Sequence, residues 1–491
     1  EVEEACPESD ITLVNDQRNK SYLILLVTHE NRDRLLDILK RYEYQEVRLS
    51  GWEGKPREIL ANLEERLRNL QRDAENLTQK GKDLFKGKGH CLALYDYYYN
   101  LHHKQKVNSY IAHTQKVFSL IGWLRAKDER KVLDRLRQKF DELDVTVKEP
   151  DADDVPPIKL LNPKVVSPFE SVTNLYGLPN YRELDPTPLL APFFFLFFGV
   201  CMTDAGYGLI LALACFFALR YFYLKGGIRK VVQLFFLCGL STILCGIFTG
   251  SWLGDFINYL PASFGPLRHL KDSLIILDPI SDPLKFLIFA LALGFIQVWF
   301  GVSVQMYKDM KAGNFSNALL SRLPWLILLP GVIMLMMVKG NMLQGVVWAS
   351  LAKWSSLLSA GTLLLFEGRA HKNIFGRLGT GLLALYGIIG YYADMLSYSR
   401  LLALGLATGV IANVVNQMAF LTAKVPYVGI VMAATILLGG HIFNIVINLL
   451  GAFVHTSRLQ FIEFFTKFFE GGGKPFIPFA MQTRYINLKE K

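Results

Sequence analysis

Residues 188–219 read PLLAPFFFLFFGVCMTDAGYGLILALACFFAL, and this stretch decides the fold class of the 491-residue chain. Two short apolar runs, 188–201 and 206–223, lie on either side of Asp204 and Gly206. Because a charge and a glycine interrupt a stretch that is otherwise apolar enough for a membrane, we predict a broken or re-entrant helix pair here. Asp204 and Gly206 are the candidate residues of this break.

Apolar runs of membrane length continue toward the C-terminus. The six further candidate spans are 231–252, 284–306, 323–338, 346–366, 385–421 and 427–465. The last two would each extend about 55 Å as straight helices, whereas the hydrocarbon core of a bilayer is about 30 Å thick. We therefore predict an α-helical membrane protein with eight transmembrane segments, of which the last two are long and tilted.

Loop charge predicts how these segments are oriented. The formal net charge is +10, and much of it lies in short loops between apolar runs, not in one basic surface that would bind nucleic acid. Three connections that share the side of the N-terminal region carry these basic residues: Lys225, Arg229, Lys230, Lys308, Lys311, Arg322, Arg369, His371, Lys372 and Arg377. By the positive-inside rule, both chain ends are predicted to be cytoplasmic.

A shift in composition divides the chain into domains. The N-terminal part is charged like a soluble protein, and apolar runs dominate from Leu189 onward. The predicted domains are a cytoplasmic α+β arm at 1–157, a connector at 158–185, a transmembrane domain at 186–480 and a cytoplasmic C-terminal tail at 481–491. The chain begins at Glu1 instead of Met, and we expect a further N-terminal portion before it.

The arm is predicted to contain two small α/β lobes. In the first lobe, a β-prone run at 22–29 precedes a helical pattern at 31–41 and a short strand at 47–50. The second lobe repeats this order of strand, helix and strand at 116–124, 127–140 and 145–148.

A heptad seam lies between the two lobes. Its members are Leu60, Leu63, Leu67, Leu70, Ala74, Leu77 and Leu84, at alternating spacings of three and four with Gly81 in the seam between the last two. We expect Gly87 and Gly89 to break this helix and a second helix to follow at 91–112. The pattern predicts an antiparallel coiled-coil hairpin at about 55–113. From the arm alone, a soluble regulatory domain and a homodimerising coiled coil are also compatible.

Sequence motifs for catalysis or cofactor binding are missing. The glycine stretch at 471–474 lacks the spacing and the Ser or Thr of a phosphate loop, and no zinc-ligand spacing or nucleophile elbow occurs. The six cysteines form no CxxC pair, and we expect them to be reduced and mostly buried. No catalytic, cofactor or metal site is expected in this chain.

Each of the two over-long segments carries one arginine inside an apolar stretch. Arg400 lies in DMLSYSRLLALGLATGVIANVV and Arg458 in NLLGAFVHTSRLQFIEFF. An arginine in a span is costly unless it is hydrated or paired, and it keeps its proton, so it cannot relay protons. It can hold a fixed positive charge that attracts a carboxylate and blocks a direct leak. A snorkelling or ion-paired structural arginine is the alternative at both positions.

Polar residues accompany both arginines and would line two partial aqueous channels. The half-channel candidates are Ser397, Thr408, Asn413, Asn416, Gln417, His441, Asn444, Asn448, His455 and Glu463. Asn444 precedes Arg458 by 14 residues, close to four helical turns, so we expect both on one face. Ala403, Ala407 and Ile411 follow Arg400 at spacings of three or four, and Gly405 and Gly409 flank that face. Small residues of this kind permit a close helix approach. Interhelical hydrogen bonds and static packing are the alternatives.

Five segments match the pattern of one membrane-protein family. They are FFFLFFGVCMTDAGYG (193–208), GIFTGSWLGD (246–255), LSYSRLLALGLATGVIAN (396–413), HTSRLQFIEFFTKFFEGGGKPFIPF (455–479) and, in the arm, VFSLIGWL (117–124). In these segments the chain resembles subunit a of the vacuolar and archaeal-type rotary ATPases, called subunit I in prokaryotes. The likeness covers the membrane half and most of the arm.

The resemblance implies a non-catalytic stator subunit of a rotary V/A-type ATPase. Arg400 matches the family's essential arginine and Arg458 its second arginine. The last two helices would offer ion half-channels to a rotating ring of proteolipid c subunits, and the arm would link to peripheral stalk subunits of the E/G type. A central-stalk subunit of the d/C type at the ring and the lipid membrane are further expected partners, and H+ or Na+ is the expected ion.

One departure from the eukaryotic pattern favours a prokaryotic member, in a bacterial or archaeal plasma membrane: Thr408 stands where that pattern has a histidine. A second departure leaves the far half-channel residues open, since Asn448 stands near the place of an acidic residue. The runner-up function is a secondary transporter with a cytoplasmic regulatory domain, which predicts internal repeats and paired broken helices. A purely structural membrane tether is a third possibility. The sequence leaves open which ion moves and whether the complex pumps or makes ATP.

Overall fold

The computed structural model describes residues 10–17, 20–40, 44–45, 55–151, 153–259, 261, 265–341, 344–369 and 373–486. Helices dominate this part of the chain. The chain divides into two compact units. The arm unit comprises residues 1–120 and 480–491, and the membrane unit comprises residues 121–479.

The arm unit begins with a two-stranded antiparallel sheet. Strand β1 (Asp10–Gln17) pairs with β2 (Lys20–Leu26), with Leu13 opposite Leu23. The strand predicted at 22–29 is confirmed in its first part, whereas β1 was not predicted. Helix α1 (Arg32–Leu39) confirms the next helix. The strand predicted at 47–50 lies outside the described residues, so the first lobe is seen only as a hairpin and a helix.

The two long helices of the arm follow one another instead of folding back. Helix α2 spans Pro56–Lys86 and α3 spans Lys88–Asn108. Gly87 between them has helical backbone angles (φ −78°, ψ −10°), and its carbonyl accepts a hydrogen bond from the Cys91 N–H, as within a helix. A reversal needs non-helical residues, so the predicted antiparallel hairpin is not confirmed. The leucines of the seam are exposed.

The second predicted lobe is only partly present. Strands β3 (Ala112–His113) and β4 (Phe118–Ser119) form a short antiparallel pair, and α4 (Glu129–Lys139) confirms the predicted helix. Residues 145–148 form no strand, so that prediction is wrong. An extended segment needs a paired neighbour to become a strand, and none pairs with it among the described residues.

In the membrane unit, the connector is anchored by helix α5 (Glu170–Tyr176) and by Glu183. Glu183 accepts the N–H groups of Asn180, Glu470 and Gly471 and pairs with Lys308 at 3.2 Å. Burial alone would raise the pKa of this carboxyl, but the four hydrogen bonds outweigh it and hold the pKa below its usual value. Glu183 therefore joins three segments as a carboxylate.

Nine helices follow among the described residues of the membrane unit: α6 (Thr187–Met202), α7 (Ala205–Tyr221), α8 (Gly226–Thr249), α9 (Gly265–Leu274), α10 (Pro283–Lys311), α11 (Phe315–Lys339), α12 (Val346–Phe366), α13 (Ile374–Thr422) and α14 (Gly429–Lys467). Six of them are long and apolar enough to cross a membrane, namely α8 and α10–α14. The apolar helices α6 and α7 are shorter. Each of the eight predicted segments coincides with one helix, and their crossing of the membrane as eight spans stays a prediction.

Helix α6 lies at the centre of the core of the membrane unit. Its side chains Leu190, Phe194, Phe197 and Phe198 are fully buried, and it packs against α8, α13 and α14. Phe197 meets the ring of Tyr398 edge-on, with ring centroids 5.6 Å apart. Such edge-to-face contacts orient aromatic rings, so α6 holds the part of α13 that contains Tyr398.

The two longest helices are irregular. Helix α13 consists of Ile374–Tyr386, Ile388–Leu396 and Ser399–Thr422, with interruptions at Gly387 and at residues 397–398. In α14, a π-helical turn occupies Leu459–Phe464. Interruptions and π-turns of this kind change the direction in which later side chains point. Both irregularities lie next to predicted site residues.

Candidate functional site

A buried carboxylate stabilises the break between α6 and α7. Asp204 is fully buried and accepts the Tyr207 N–H at 3.0 Å, which caps the first turn of α7. It also accepts the Ser251 hydroxyl at 2.6 Å and the N–H groups of Leu253 at 2.9 Å and Gly254 at 2.7 Å. Charge-assisted hydrogen bonds are the strong ones, and here both carboxylate oxygens are used. Asp204 thus fixes the loop after α8 to the break.

The break is packed too closely for side chains at its glycines. A Cβ atom on Gly246 would collide with the backbone of Ala205, and one on Gly206 would lie 2.7 Å from Leu253. Thr203 has a positive φ of 37°, which non-glycine residues rarely adopt. The predicted interruption is therefore present, immediately before Ala205, and Gly206 permits the close approach of the loop after α8.

Arg400 lies directly after the second interruption of α13. Tyr398, at this interruption, is fully buried, and its ring occupies the space beside Gly294 of α10 that a Cβ atom would need. The Tyr398 hydroxyl donates to Gln297 Oε1 at 2.6 Å, and Gln297 Nε2 donates to Gln460 Oε1 at 2.7 Å. These contacts fix the segment that carries Arg400 between α10 and α14.

Arg400 forms an ion pair with Glu463 across α13 and α14. Its Nη1 lies 3.5 Å from Glu463 Oε1, and its Nη2 donates to Ser397 Oγ at 3.3 Å. The side chain of Glu463 is 2% exposed and that of Arg400 is 28% exposed. Arg400 Nη1 and Glu463 Oε2 have no hydrogen-bond partner among the described residues. These two atoms are buried, so the ion pair is enclosed but incompletely hydrogen-bonded.

The face of α13 beside Arg400 is open. Ala403 and Ala407, which follow Arg400 on this face, are exposed. Gly405 and Gly409, predicted to flank the face, are buried instead: Gly405 lies against the end of α6, and Gly409 lies against the chain that precedes α10. The glycines thus serve packing inside the chain, and the alanines present a shallow surface outside it.

Arg458 lies outside the buried stripe of α14. It is exposed and makes no ion pair among the described residues, whereas Asn444 is 1% exposed. The two residues lie within about 40° of each other on a regular helix, but they differ in burial. The buried stripe continues from Asn444 through Asn448 and Ala452 to Thr456, and this spacing of four residues turns it by about 40° per step, away from Arg458.

A hydrogen-bonded network of polar side chains joins α7, α13 and α14 to the loop after α8. Asn444 Nδ2 donates to the Tyr207 hydroxyl at 2.8 Å, and that hydroxyl lies 2.7 Å from His441 Nδ1. His441 Nε2 lies 3.1 Å from Asn416 Oδ1, and Asn416 Nδ2 donates to Asp255 Oδ1 at 2.9 Å. We refer to these five residues as the far network.

The donors of the far network can be assigned from its amides. Asn416 directs its NH2 group at two oxygen acceptors, so its Oδ1 can only accept and His441 Nε2 donates to it. The Tyr207 hydroxyl accepts from Asn444 Nδ2 and lies within hydrogen-bond distance of His441 Nδ1. Because amides lie on both sides of the Tyr207–His441 pair, the network braces three helices and offers a polar lining, not a direct proton wire.

Two further half-channel candidates adjoin the far network. Thr408 is fully buried, its hydroxyl donates to the Leu404 carbonyl at 2.9 Å, and its own carbonyl accepts Asn444 Nδ2 at 3.2 Å. Asn448 Nδ2 donates to the carbonyl of Asn444 at 2.9 Å. Both residues therefore extend the polar stripe from the far network toward the centre of the helices.

The remaining three candidates are not joined to either group. Asn413 Oδ1 and His455 Nδ1 are buried without a hydrogen-bond partner among the described residues. Gln417 is exposed. The structure therefore collects seven of the ten candidates into two groups: Ser397 and Glu463 with Arg400, and Thr408, Asn416, His441, Asn444 and Asn448 in or beside the far network.

Five polar residues of these groups were not predicted as site residues: Tyr207, Asp255, Gln297, Tyr398 and Gln460. Gln297 is a lone amide in the apolar run FLIFALALGFIQVWFGV. An isolated polar residue within a span is a functional or packing signal by itself, so Gln297 could have been found from the sequence. The others depend on contacts between distant segments.

A polar cavity of about 240 Å³ lies close to the Arg400 group. It is lined by Val302, Gln305, Arg322, Gly387, Gly390, Tyr391, Thr466 and Lys467. Lys467 pairs with Asp394 at 2.5 Å, and Arg322 pairs with Asp309 at 3.3 Å, so the charges at its wall are balanced. A volume of this size admits several water molecules. The described residues contain no cluster of three metal-ligating side chains.

One protein-family model matches more than half of this chain. Residues 2–251 and 388–481 match the V-type ATPase 116 kDa subunit family. The chain belongs to this family. The two matched ranges contain the Asp204 break, the far network apart from Asp255, and the Arg400–Glu463 pair.

Relatives of this V-type ATPase 116 kDa subunit family member match between 73% and 100% of the chain in the three comparisons that follow. The A-type ATP synthase subunit I of Methanocaldococcus jannaschii is 32% identical over 500 residues, which covers 96% of this chain and 70% of the relative. That of Pyrococcus abyssi is 30% identical and covers 100% of this chain and 73% of the relative. The V-type ATP synthase subunit I of Chlamydia trachomatis is 26% identical, with coverages of 73% and 61%.

Proposed function

We propose that this chain is the non-catalytic membrane stator subunit of a rotary A/V-type ATP synthase that moves H+ or Na+. The observation that carries the proposal is the pairing of Arg400 with Glu463 at an open helix face. A permanently charged guanidinium lies beside a shallow surface, and its pairing with a neighbouring carboxylate is incomplete. This geometry suits a mobile carboxylate on a passing helix.

The mechanism follows from the competition between two carboxylates for one guanidinium. In the free chain, Glu463 partly balances the charge of Arg400, at a distance of 3.5 Å. A carboxylate on a ring subunit that passes Ala403 and Ala407 would approach the Arg400 guanidinium, whose side chain is 28% exposed. The attraction displaces the cation bound by the ring carboxylate, and Glu463 takes Arg400 back as the ring moves on.

The two polar groups would serve as separate half-channels. Arg400 and Asn416 are 16 residues apart on α13, which corresponds to about 24 Å along a helix. The polar cavity is lined by Lys467, four residues after Glu463, and the far network ends at Asp255 in the loop after α8. The fixed charge of Arg400 would prevent a continuous path for a cation from one group to the other, so the ion would have to travel on the ring.

The exposure of Arg458 supports the same arrangement. A charge on the outside of an apolar helix is costly in a single chain, and the outer face of α14 also carries exposed Phe443, Val446 and Leu450. We place the ring of proteolipid c subunits against this face and the open face of α13. Arg458 would then be covered by the ring or by water at its edge.

The remaining partners belong to the same proposal. The arm and the C-terminal tail would be cytoplasmic, with peripheral stalk subunits of the E/G type on the arm and a central-stalk subunit of the d/C type at the ring. The lipid membrane, in a bacterial or archaeal cell, would surround the helices. The basic loops then serve topology, and nucleic acid is not a partner.

Ion uptake by the assembled complex tests the proposal. In vesicles that carry the complex, ATP-driven uptake is measured with sodium and pH dyes for wild type, Arg400→Ala and the control Arg220→Ala, an exposed arginine in the last turn of α7. We expect Arg400→Ala to assemble and to lose uptake by about a hundredfold or more, since it removes the fixed positive charge that each ring carboxylate would pass. The control should retain uptake, and the dye that responds identifies the ion.

Two results would contradict the proposal. Uptake that survives Arg400→Ala would exclude the fixed-charge role and would favour a secondary transporter or a tether. Uptake that is lost equally in Arg220→Ala would show a general sensitivity of the complex to lost positive charge, and the role of Arg400 would not be specific.

A further inference from the structure

The C-terminal segment of the chain is held on helix α3 through its backbone. Asp96 Oδ1 accepts the N–H of Arg484 at 3.1 Å, and Asp96 Oδ2 accepts the N–H groups of Tyr485 at 2.9 Å and Ile486 at 3.0 Å. One carboxylate thus receives three consecutive backbone donors. Asp96 is 3% exposed, whereas the other charged residues of α2 and α3 are not buried in the described arm.

Asn100, one helical turn after Asp96, binds the same segment in both directions. Its Nδ2 donates to the Gln482 carbonyl at 2.7 Å, and its Oδ1 accepts the Gln482 N–H at 2.8 Å. This reciprocal pair reproduces what a neighbouring strand offers to a backbone. Tyr95 adds an edge-on contact with Tyr485, with ring centroids 5.5 Å apart.

These contacts recognise a backbone rather than particular side chains. Five hydrogen bonds reach main-chain atoms of residues 482–486, and the acceptor of three of them is charged, which roughly doubles the strength of each. Consecutive N–H groups that converge on one anion form an anion-binding concavity. Here the anion belongs to the arm and the concavity belongs to the tail.

We infer that Asp96 and Asn100 form a peptide-binding site on the arm whose occupant is residues 482–486 of the same chain. The site would act as a clasp for the C-terminal tail. The tail belongs to the arm unit, although the chain enters it directly from the membrane unit at residues 479–480. The chain thus passes between the two units twice, at 120–121 and at 479–480. The clasp holds the chain that follows the second passage on helix α3 of the arm.

Amide hydrogen exchange on the full chain in detergent tests the clasp. In wild type, the amides of residues 484–486 should exchange slowly, and Asp96→Asn should accelerate them by about tenfold or more because an amide offers one oxygen where three donors need two. The matched control is Asp73→Asn, the same chemical change at an exposed position of α2. It should leave tail exchange unchanged.

A second pair of variants distinguishes recognition of the backbone from recognition of side chains. Arg484→Pro removes the N–H that Asp96 accepts, whereas Arg484→Ala removes the same side chain and keeps the N–H. We expect Arg484→Pro to accelerate exchange at residues 485 and 486 and Arg484→Ala to match wild type. The readout is exchange alone, so it does not depend on the proposed stator function.

Each outcome decides one part of the inference. Unchanged tail exchange in Asp96→Asn would show that the carboxylate does not hold the tail and would overturn the clasp. Equal acceleration in Arg484→Ala and Arg484→Pro would overturn backbone recognition, because the arginine side chain would then carry the binding. Faster exchange in Asp73→Asn would show a general loosening of the arm, and the assignment to Asp96 would fail.

Discussion

The break between α6 and α7 and the interruption of α13 at residues 397–398 differ in how completely their charged side chains are hydrogen-bonded. At the first, Asp204 is surrounded by four donors, and both of its oxygens are used. At the second, Arg400 Nη1 lies 3.5 Å from Glu463 Oε1. Arg400 Nη1 and Glu463 Oε2 have no hydrogen-bond partner among the described residues. The Asp204 carboxylate is fully hydrogen-bonded, whereas the Arg400–Glu463 pair is not.

This contrast distinguishes an interruption that stabilises the fold from one that is open to a partner. A satisfied buried charge holds its surroundings in one arrangement, and any new partner would have to break existing bonds. An incompletely satisfied pair is costly to keep, so its persistence next to an open face points to a partner that completes it. We therefore assign a structural role to Asp204, and the incomplete pair supports the proposal that Arg400 and Glu463 take part in ion translocation.

The largest effect is expected at Asp204. Asp204→Ala leaves four buried donors without an acceptor, and we expect it to destabilise the membrane unit by about 3–5 kcal/mol. The measurement is the thermal unfolding midpoint and the yield of monodisperse protein in detergent. The control is Asp282→Ala, an exposed carboxylate paired with Lys285, which should cost less than about 1 kcal/mol. Equal loss in both variants would remove the contrast between the two interruptions.

An intermediate effect, on transport instead of folding, is expected at Glu463. Glu463→Gln removes the resting partner of Arg400, so a ring carboxylate should be released more slowly. We expect ATP-driven uptake to fall by about tenfold, which corresponds to about 1.4 kcal/mol, with normal assembly. Glu463→Asp should restore part of the rate, because it restores the charge.

The matched control for this variant is Glu470→Gln, an exposed glutamate beyond the end of α14. Its uptake should equal that of wild type. If Glu463→Gln assembles and transports at the full rate, Glu463 is a packing residue, and the competition between two carboxylates for Arg400 is ruled out.

The smallest effect is expected at Glu183, a third carboxylate that is satisfied like Asp204 but lies outside the spans. Its pKa is lowered in the folded chain, so its stabilising contribution is present above the ordinary glutamate pKa of about 4.3 and is lost as the pH falls through the lowered value. At pH 7, Glu183→Gln should unfold more easily than wild type by about 1 kcal/mol. The difference between the two unfolding midpoints should shrink as the medium is acidified, and a constant difference would contradict the assignment.

The membrane half was largely predictable because the bilayer sets a fixed length for apolar segments. The eight predicted segments coincide with helices, and a charge with a glycine was sufficient to predict the break at Asp204. The pairing of Arg400 with Glu463 was not predictable from spacing, because these residues lie 63 positions apart on different helices. Only the packing of α13 against α14, through Tyr398 and the π-helical turn, brings them together.

The arm was less predictable because its signals are local and ambiguous. Gly87 suggested a turn, but glycine is also compatible with a helix, and Gly87 adopts helical angles here. Strand β1 was missed because its apolar stretch, Ile11–Val14, is short and followed by polar residues. The capture of the tail by Asp96 left no sequence signal, since the contacts are made to backbone atoms that every residue possesses.

The π-helical turn at Leu459–Phe464 gives α14 a change of phase. A π-turn accommodates one residue more than an α-helix does over the same rise, and one residue corresponds to a rotation of about 100°. Gln460 and Glu463 face inward within that turn, so removal of a single residue there would turn the helix beyond it toward lipid. A one-residue gap in this segment of an aligned relative would therefore change the chemistry of the site, because the phase of the helix decides whether a carboxylate reaches the arginine.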